Sequence, residues 1–178
     1  ASITKILRRF IFVHQMQSCR KIMPALSFNF INGTGSDVAA TIKKLHNKCL
    51  PDKDWTLESL QSMLSQDSVY SVIAKKDALE IGFCIYRIAA DEAEIISIGV
   101  LENERMNGHA TEILKETIKK ISDSNMNIRK IFLEVAEDNL AAINLYLSAK
   151  FRKAGVRKKY YQRKNGERVD AVIMALDN

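Results

Sequence analysis

Arg105-Met106-Asn107-Gly108-His109-Ala110 is the stretch on which the reading of this sequence turns. An apolar, β-type run precedes it, Glu94-Ile95-Ile96-Ser97-Ile98-Gly99-Val100. A helical pattern follows, with Ala110, Ile113, Leu114, Thr117, Ile118 and Ile121 on one face. The hexapeptide is therefore a strand-to-helix junction. A helix N-terminus presents unpaired N–H groups and a partial positive charge, which suits a diphosphate. Gly108 allows close backbone approach and unusual dihedrals, Ala110 keeps the next position small, and Arg105 adds a forked cation. The backbone N–H groups of Met106 to Thr111 are the expected donors. An R-x-x-G-x-A string alone is also an ordinary turn, so its context carries the weight.

Working outward, Leu26 to Ile31 reads as a strand. Helices follow over Ser36 to about Lys48 and, capped by Asp54 or Thr56, to about Leu64. Val69 to Ala74, Ile81 to Ile88 and Ala93 to Val100 read as an antiparallel meander. Beyond the helix from Gly108 come a strand (Ile128 to Ala136), a helix (Asn139 to Lys150) and a hairpin of Phe151 to Tyr161 with Arg168 to Leu176. The order β-α-α-β-β-β-α-β-α-β-β predicts an α/β (α+β) fold, a mixed, mostly antiparallel sheet with helices on both faces.

The 178 residues suit one domain, expected over residues 23–178. Of the formal charge of +6, Lys5, Arg8, Arg9, Arg20 and Lys21 supply +5 within an acid-free stretch, residues 1–22. The rest of the chain is nearly neutral, so its high pI does not argue for direct nucleic-acid binding. Residues 1–22 read as a basic extension outside the fold, with a transit peptide or an artefact upstream of Met23 as alternatives. The odd cysteine count (Cys19, Cys49, Cys84) and the scattered histidines predict reduced thiols, a cytoplasmic setting (organellar if the leader is genuine) and no metal. The apolar run Phe10 to Val13 is far too short to span a bilayer.

Three downstream residues have chemical potential. Glu134 lies in the apolar strand Ile131-Phe132-Leu133-Glu134-Val135, where a carboxylate is desolvated and suited to act as a base. It can equally face solvent or pair with an arginine. Asn139 and Tyr146 are seven apart and share a helix face. Asn139 is also a good N-cap, and Tyr146 can be a packing tyrosine.

The junction at 105–110 resembles the Q/R-x-x-G-x-G/A signature of the GNAT acetyltransferase superfamily. Residues 93–178 are most similar to the RimI-like bacterial ribosomal-protein-alanine N-acetyltransferases, through Glu94 to Val100, Phe132 to Val135, Asn139 to Phe151, Arg157 to Tyr161 and Asp170 to Met174. The resemblance implies acetyl-CoA as cosubstrate, with Ile98, Gly99, Val100, Arg105, Met106, Asn107, Gly108, His109, Ala110, Thr111 and Asn139 around it. It makes Glu134 the general base and Tyr146 the acid that protonates the leaving thiolate. It implies an acceptor protein N-terminus, in particular the N-terminal alanine of a small-subunit ribosomal protein, with Trp55 and Tyr160 as candidate acceptor contacts. Trp55 can instead be core. Tyr160 and Tyr161, adjacent on a strand, point to opposite faces, so at most one lines a groove. His109 reads as a bystander beside the cofactor. Lys150 stands where the family has Gly, so the helix end there lacks an easy left-handed residue. A GNAT enzyme for small amines or lysine side chains, and an acetyl-CoA-binding module without turnover, remain as alternatives.

Overall fold

The computed structural model describes residues 25–33, 36–51, 55–163 and 165–178. Residues 1–22, part of the turn at 32–35, Asp54 and Lys164 lie outside the described residues.

Among the described residues, seven strands and four helices follow the expected order. They are β1 (Ser27–Asn32), α1 (Ser36–Cys49), α2 (Leu57–Leu64), β2 (Val69–Lys76), β3 (Leu79–Ala89) and β4 (Glu92–Val100). After a 3-10 turn (Glu102–Glu104) come α3 (His109–Ser122), β5 (Lys130–Ala136), α4 (Leu140–Ser148), β6 (Arg152–Gln162) and β7 (Arg168–Asp177). One sheet runs β1-β2-β3-β4-β5-β7-β6. Every neighbouring pair is antiparallel except β4 and β5, the two strands joined through α3.

The apolar periodicities put a core on each face of this sheet. Ala39, Ile42, Leu45 and Cys49 of α1 and Leu60 and Leu64 of α2 bury against Val69, Ile73, Phe83 and Ile85. Ile113, Leu114 and Ile121 of α3 and Tyr146 of α4 bury against Val72, Cys84, Ile95, Ile131 and Leu133. Each fully buried Ile or Leu contributes about 1.5–3 kcal/mol. Thr56 caps α2, its hydroxyl accepting from Ser59 N at 3.1 Å.

Two irregularities open the sheet. Ile85 pairs with Ser97 and Tyr86 with Ile95, so Ile96 is an extra residue that bulges β4 away from its path. β4 and β5 then share only the pairs from Glu92↔Lys130 to Ile95↔Leu133. Beyond them Ile96–Val100 and Glu134–Ala136 diverge, leaving a gap in mid-sheet. Beside the gap, Gly99 lets α1 and the Phe83 ring pack close on β4, since a Cβ there would sit 2.7 Å from Phe83 Cε1 and 2.8 Å from Cys49 Cβ.

The end of α4 solves the problem posed by Lys150. Lys150 itself takes the left-handed backbone, at φ 72°. Its N–H donates to Leu147 O and that of Phe151 to Tyr146 O, both at 3.0 Å. The Phe151 ring packs on Tyr146, centroids 5.9 Å apart. Bonds and apolar contact together make a Schellman motif with lysine in place of glycine.

Candidate active site

A cleft of about 700 Å³ occupies the gap between β4 and β5. Its walls are the diverging strands, the loop before α3, the first turns of α3 and α4, and the end of α1. Such a volume lies in the usual range for ligand sites. The junction quoted first lies at its rim. Gly108 has φ 79°, and open space surrounds the place a Cβ would take, so dihedral freedom rather than crowding calls for glycine. Met106 has φ 60° and is fully exposed. The free N–H groups of the first turn of α3 adjoin this loop.

Arg105 behaves differently from the sequence expectation. Its Nη2 donates to Cys49 O at 2.9 Å and its Nε to Val100 O at 3.3 Å. The guanidinium thus braces the loop by capping a carbonyl at the end of α1, rather than reaching out as an anion-binding fork. His109 is buried, with Nε2 3.3 Å from Glu104 Oε2, while Lys76 Nζ donates to the same oxygen at 2.9 Å. The Lys76 hydrogen bond, ahead of the other charges, holds the Glu104 carboxyl below its ordinary range. His109 therefore contributes its backbone position to the rim, and its ring stays in the core.

Across the gap, Glu134 and Tyr146 both line the cleft. Glu134 is partly buried, and Arg157 Nη1 donates to its Oε1 at 2.8 Å. The pairing with an arginine that the sequence allowed is present. The Arg157 guanidinium stacks over Tyr160, 3.9 Å from the ring centroid. Tyr146 is buried, and burial pushes its phenol well above the usual range, so the hydroxyl keeps its proton at neutral pH. Asn139 does cap α4, its Oδ1 accepting from Ala142 N at 3.2 Å, and it also lines the cleft.

Ile98, Gly99, Val100, Arg105, Met106, Gly108, His109, Ala110, Thr111 and Asn139 come together around this cleft with Glu134 and Tyr146. Asn107 does not line it; its Nδ2 donates back to Glu104 O at 3.4 Å. Trp55 lies away from it, stacked on His46 in the α1–α2 core, centroids 4.5 Å apart.

A model of the acetyltransferase (GNAT) family matches residues 39–151, well over half of the chain. The chain belongs to that family. It is 35% identical over 94 residues to ribosomal protein bS18-alanine N-acetyltransferase of Escherichia coli (strain K12), 53% of this chain and 62% of that protein. It is 39% identical over 84 residues to an N-alpha-acetyltransferase of Saccharolobus solfataricus, 47% of either chain. These matches span less than two-thirds of the relatives' own length. The crystal structure of the Escherichia coli ribosomal-protein-S18-alanine N-acetyltransferase superposes with a TM-score of 0.76 at 23% identity, covering 86% of this chain and 94% of that one. Arabidopsis thaliana NAA60 in complex with acetyl-CoA gives 0.71 at 22% identity, covering 86% and 98%. Both likenesses bear on the fold, which is that of GNAT acetyltransferases.

The GNAT cleft also holds residues that the sequence reading passed over. Tyr161, not Tyr160, is the tyrosine of the pair that faces it; its OH donates to Glu134 O at 3.2 Å. Burial, then the nearby Glu134 charge, pushes its phenol up to about 12. Tyr160 is exposed and offers its ring to Arg157 instead. Period-2 alternation allowed one tyrosine in the groove without saying which, because the strand's facing depends on a register no local pattern reveals. Cys49, Ala142, Leu145 and Arg163 line the cleft as well.

Proposed function

We propose that the chain is an acetyl-CoA-dependent N-alpha-acetyltransferase acting on a protein N-terminal amine. The observation that carries this reading is the meeting of Glu134 and Tyr146 in one cleft between the splayed strands β4 and β5. The acceptor is the N-terminus of a ribosomal protein, as the names of the relatives at 35% identity suggest. Residues 23–178 act as one catalytic domain.

The pantetheine arm lies along Ile98, Gly99 and Val100, whose backbone is freed by the missing β5 pairing, and adds to the sheet as an extended peptide would. The diphosphate sits on the N–H groups at the start of α3. A backbone N–H of β4 polarises the thioester carbonyl. The acceptor ammonium, of pKa about 7.7–8.0, first loses one proton to solvent, and the neutral amine then attacks the carbonyl carbon as it gives a second proton to Glu134, directly or through one water. The tetrahedral intermediate collapses with cleavage of the C–S bond. The departing sulfur takes the proton that Tyr146 holds, giving an amide and free CoA. Solvent reprotonates Tyr146 and accepts the proton from Glu134.

The test is thiol release from acetyl-CoA with Ala-starting peptides, N-terminally blocked lysine peptides and polyamines. Selective use of the Ala-starting peptides is expected. Turnover with blocked lysine peptides or polyamines alone would move the assignment to another amine, and binding without thiol release would end the enzyme reading.

A further inference from the structure

The candidate base is paired with a cation on an exposed strand. Arg157 is about half exposed, bonded through Nη1 to Glu134 Oε1 and stacked on exposed Tyr160. Its position is imposed by the backbone. The register of β6 on β7 shifts between Arg157↔Ala171 and Tyr161↔Val169, and Lys159 there has φ 52°. Asp170 pins this distortion: its Oδ1 accepts from Lys159 N at 2.8 Å and its Oδ2 from Lys158 Nζ. The same distortion brings Tyr161 OH onto Glu134 O.

An acceptor amine is largely an ammonium at neutral pH. To reach Glu134 it must compete with the Arg157 guanidinium, which cannot shed its proton. A displaced guanidinium, already about half exposed, is left to water unless the acceptor brings an anion. The nearby acids among the described residues are already engaged. Asp170 holds Lys158 and the Lys159 N–H, Asp138 holds Arg163, and Glu137 Oε1 accepts the Asp170 N–H at 3.3 Å. Among the described residues, the carboxylate bonded to Arg157 is that of Glu134. An acceptor bringing its own would satisfy both charges at once, its amine replacing Arg157 on Glu134 and its carboxylate replacing Glu134 on Arg157.

We propose that Arg157 is a specificity-determining residue that selects acceptors carrying an acidic side chain at the second or third position after the reactive amine. Tyr160 holds the guanidinium plane during the exchange through its ring face. This rests on the N-terminal-amine reading above and names the chemistry of the residues that follow the amine.

The experiment compares Ala-starting peptides with Glu, Gln or Lys at positions two and three, using the wild-type protein, R157Q and R157K. For the wild type, kcat/KM is expected to be roughly ten-fold or more higher for Glu than for Gln, chiefly through KM, and lowest for Lys. R157Q is expected to lose the preference and use the Gln peptide better than the wild type does. R157K keeps the charge without the fork and should retain part of the preference. Calorimetric acetyl-CoA binding by R157Q reports that the cleft is intact; if that variant fails to fold, the wild-type series alone decides. Equal use of Glu and Gln peptides by the wild type, or a preference that survives in R157Q, overturns the proposal while leaving the acetyltransferase reading in place. Thiol release with none of the peptides overturns both.

Discussion

Glu134 and Tyr146 line one cleft with different liabilities. Tyr146 keeps its proton because it is buried, so it can supply it to a leaving thiolate and has little tendency to lose it otherwise. A Tyr146→Phe variant should lose roughly 100-fold or more in turnover while acetyl-CoA affinity, measured calorimetrically, stays within a few-fold. Full turnover by that variant would remove the proton-donor role. A Glu134→Gln variant should show a drop of similar order in single-turnover rate, again with the cosubstrate bound. Both residues were readable from the sequence because each is a polar group in an apolar element. Their neighbours were not. Nothing in Arg157-Lys158-Lys159-Tyr160-Tyr161 says which side chain reaches Glu134, because the register shift that decides it depends on Asp170 of the next strand.

At the level of elements, period and caps were enough to place each strand and helix within a few residues. The three apolar positions of α3 that are fully buried, Ile113, Leu114 and Ile121, all belong to the face read from the sequence. What the pattern concealed was the bulge at Ile96, which leaves no compositional trace in a run of apolar residues, and with it the parting of β4 from β5. The end of α4 offers a direct test of backbone energetics. Lys150 holds a left-handed φ of 72° that costs a non-glycine residue roughly 1 kcal/mol. Lys150→Gly should raise stability by up to about 1 kcal/mol in urea titrations, partly offset by glycine's greater freedom when unfolded. A lower midpoint would mean that the lysine makes a contact that outweighs its strain.

For the molecule as a whole, buried acids with neutral protonated forms govern the alkaline limit. Burial, the leading cause in each case, raises the Cys49 thiol to about 11, the Cys84 thiol to about 12 and the Tyr161 phenol to about 12, and lifts Tyr86 and Tyr146 further. Unfolded, these groups ionise near 9.0 and 10.0. Above those values the unfolded chain binds fewer protons than the native one, so stability falls as pH rises. Denaturation midpoints should hold from pH 7 to about 8.5 and decline steeply by pH 10.5, a window set by the thiols first and the phenols next. A midpoint unchanged at pH 10.5 would contradict the burial of these groups. Among the described residues, no helix is long and apolar enough to cross a membrane.

The parting of β4 from β5 makes the sheet an unfinished object. Main-chain groups of β4 beyond Ile95 have lost their partner strand on the β5 side, and a small molecule is the proposed eighth member of the ladder. Whatever completes the sheet then also holds the two halves of the domain together, with about 2.7 kcal/mol of added stability at a concentration 100 times its dissociation constant. The parts that would complete it, pantetheine and diphosphate, are common to acetyl-CoA and to CoA. Melting temperature should therefore rise almost equally with either, whereas dephosphorylated pantetheine fragments should protect far less. The protein's survival under heat would then track the total supply of the coenzyme, indifferent to whether it carries an acetyl group, and spent coenzyme would leave the cleft only as fast as the sheet can afford to reopen.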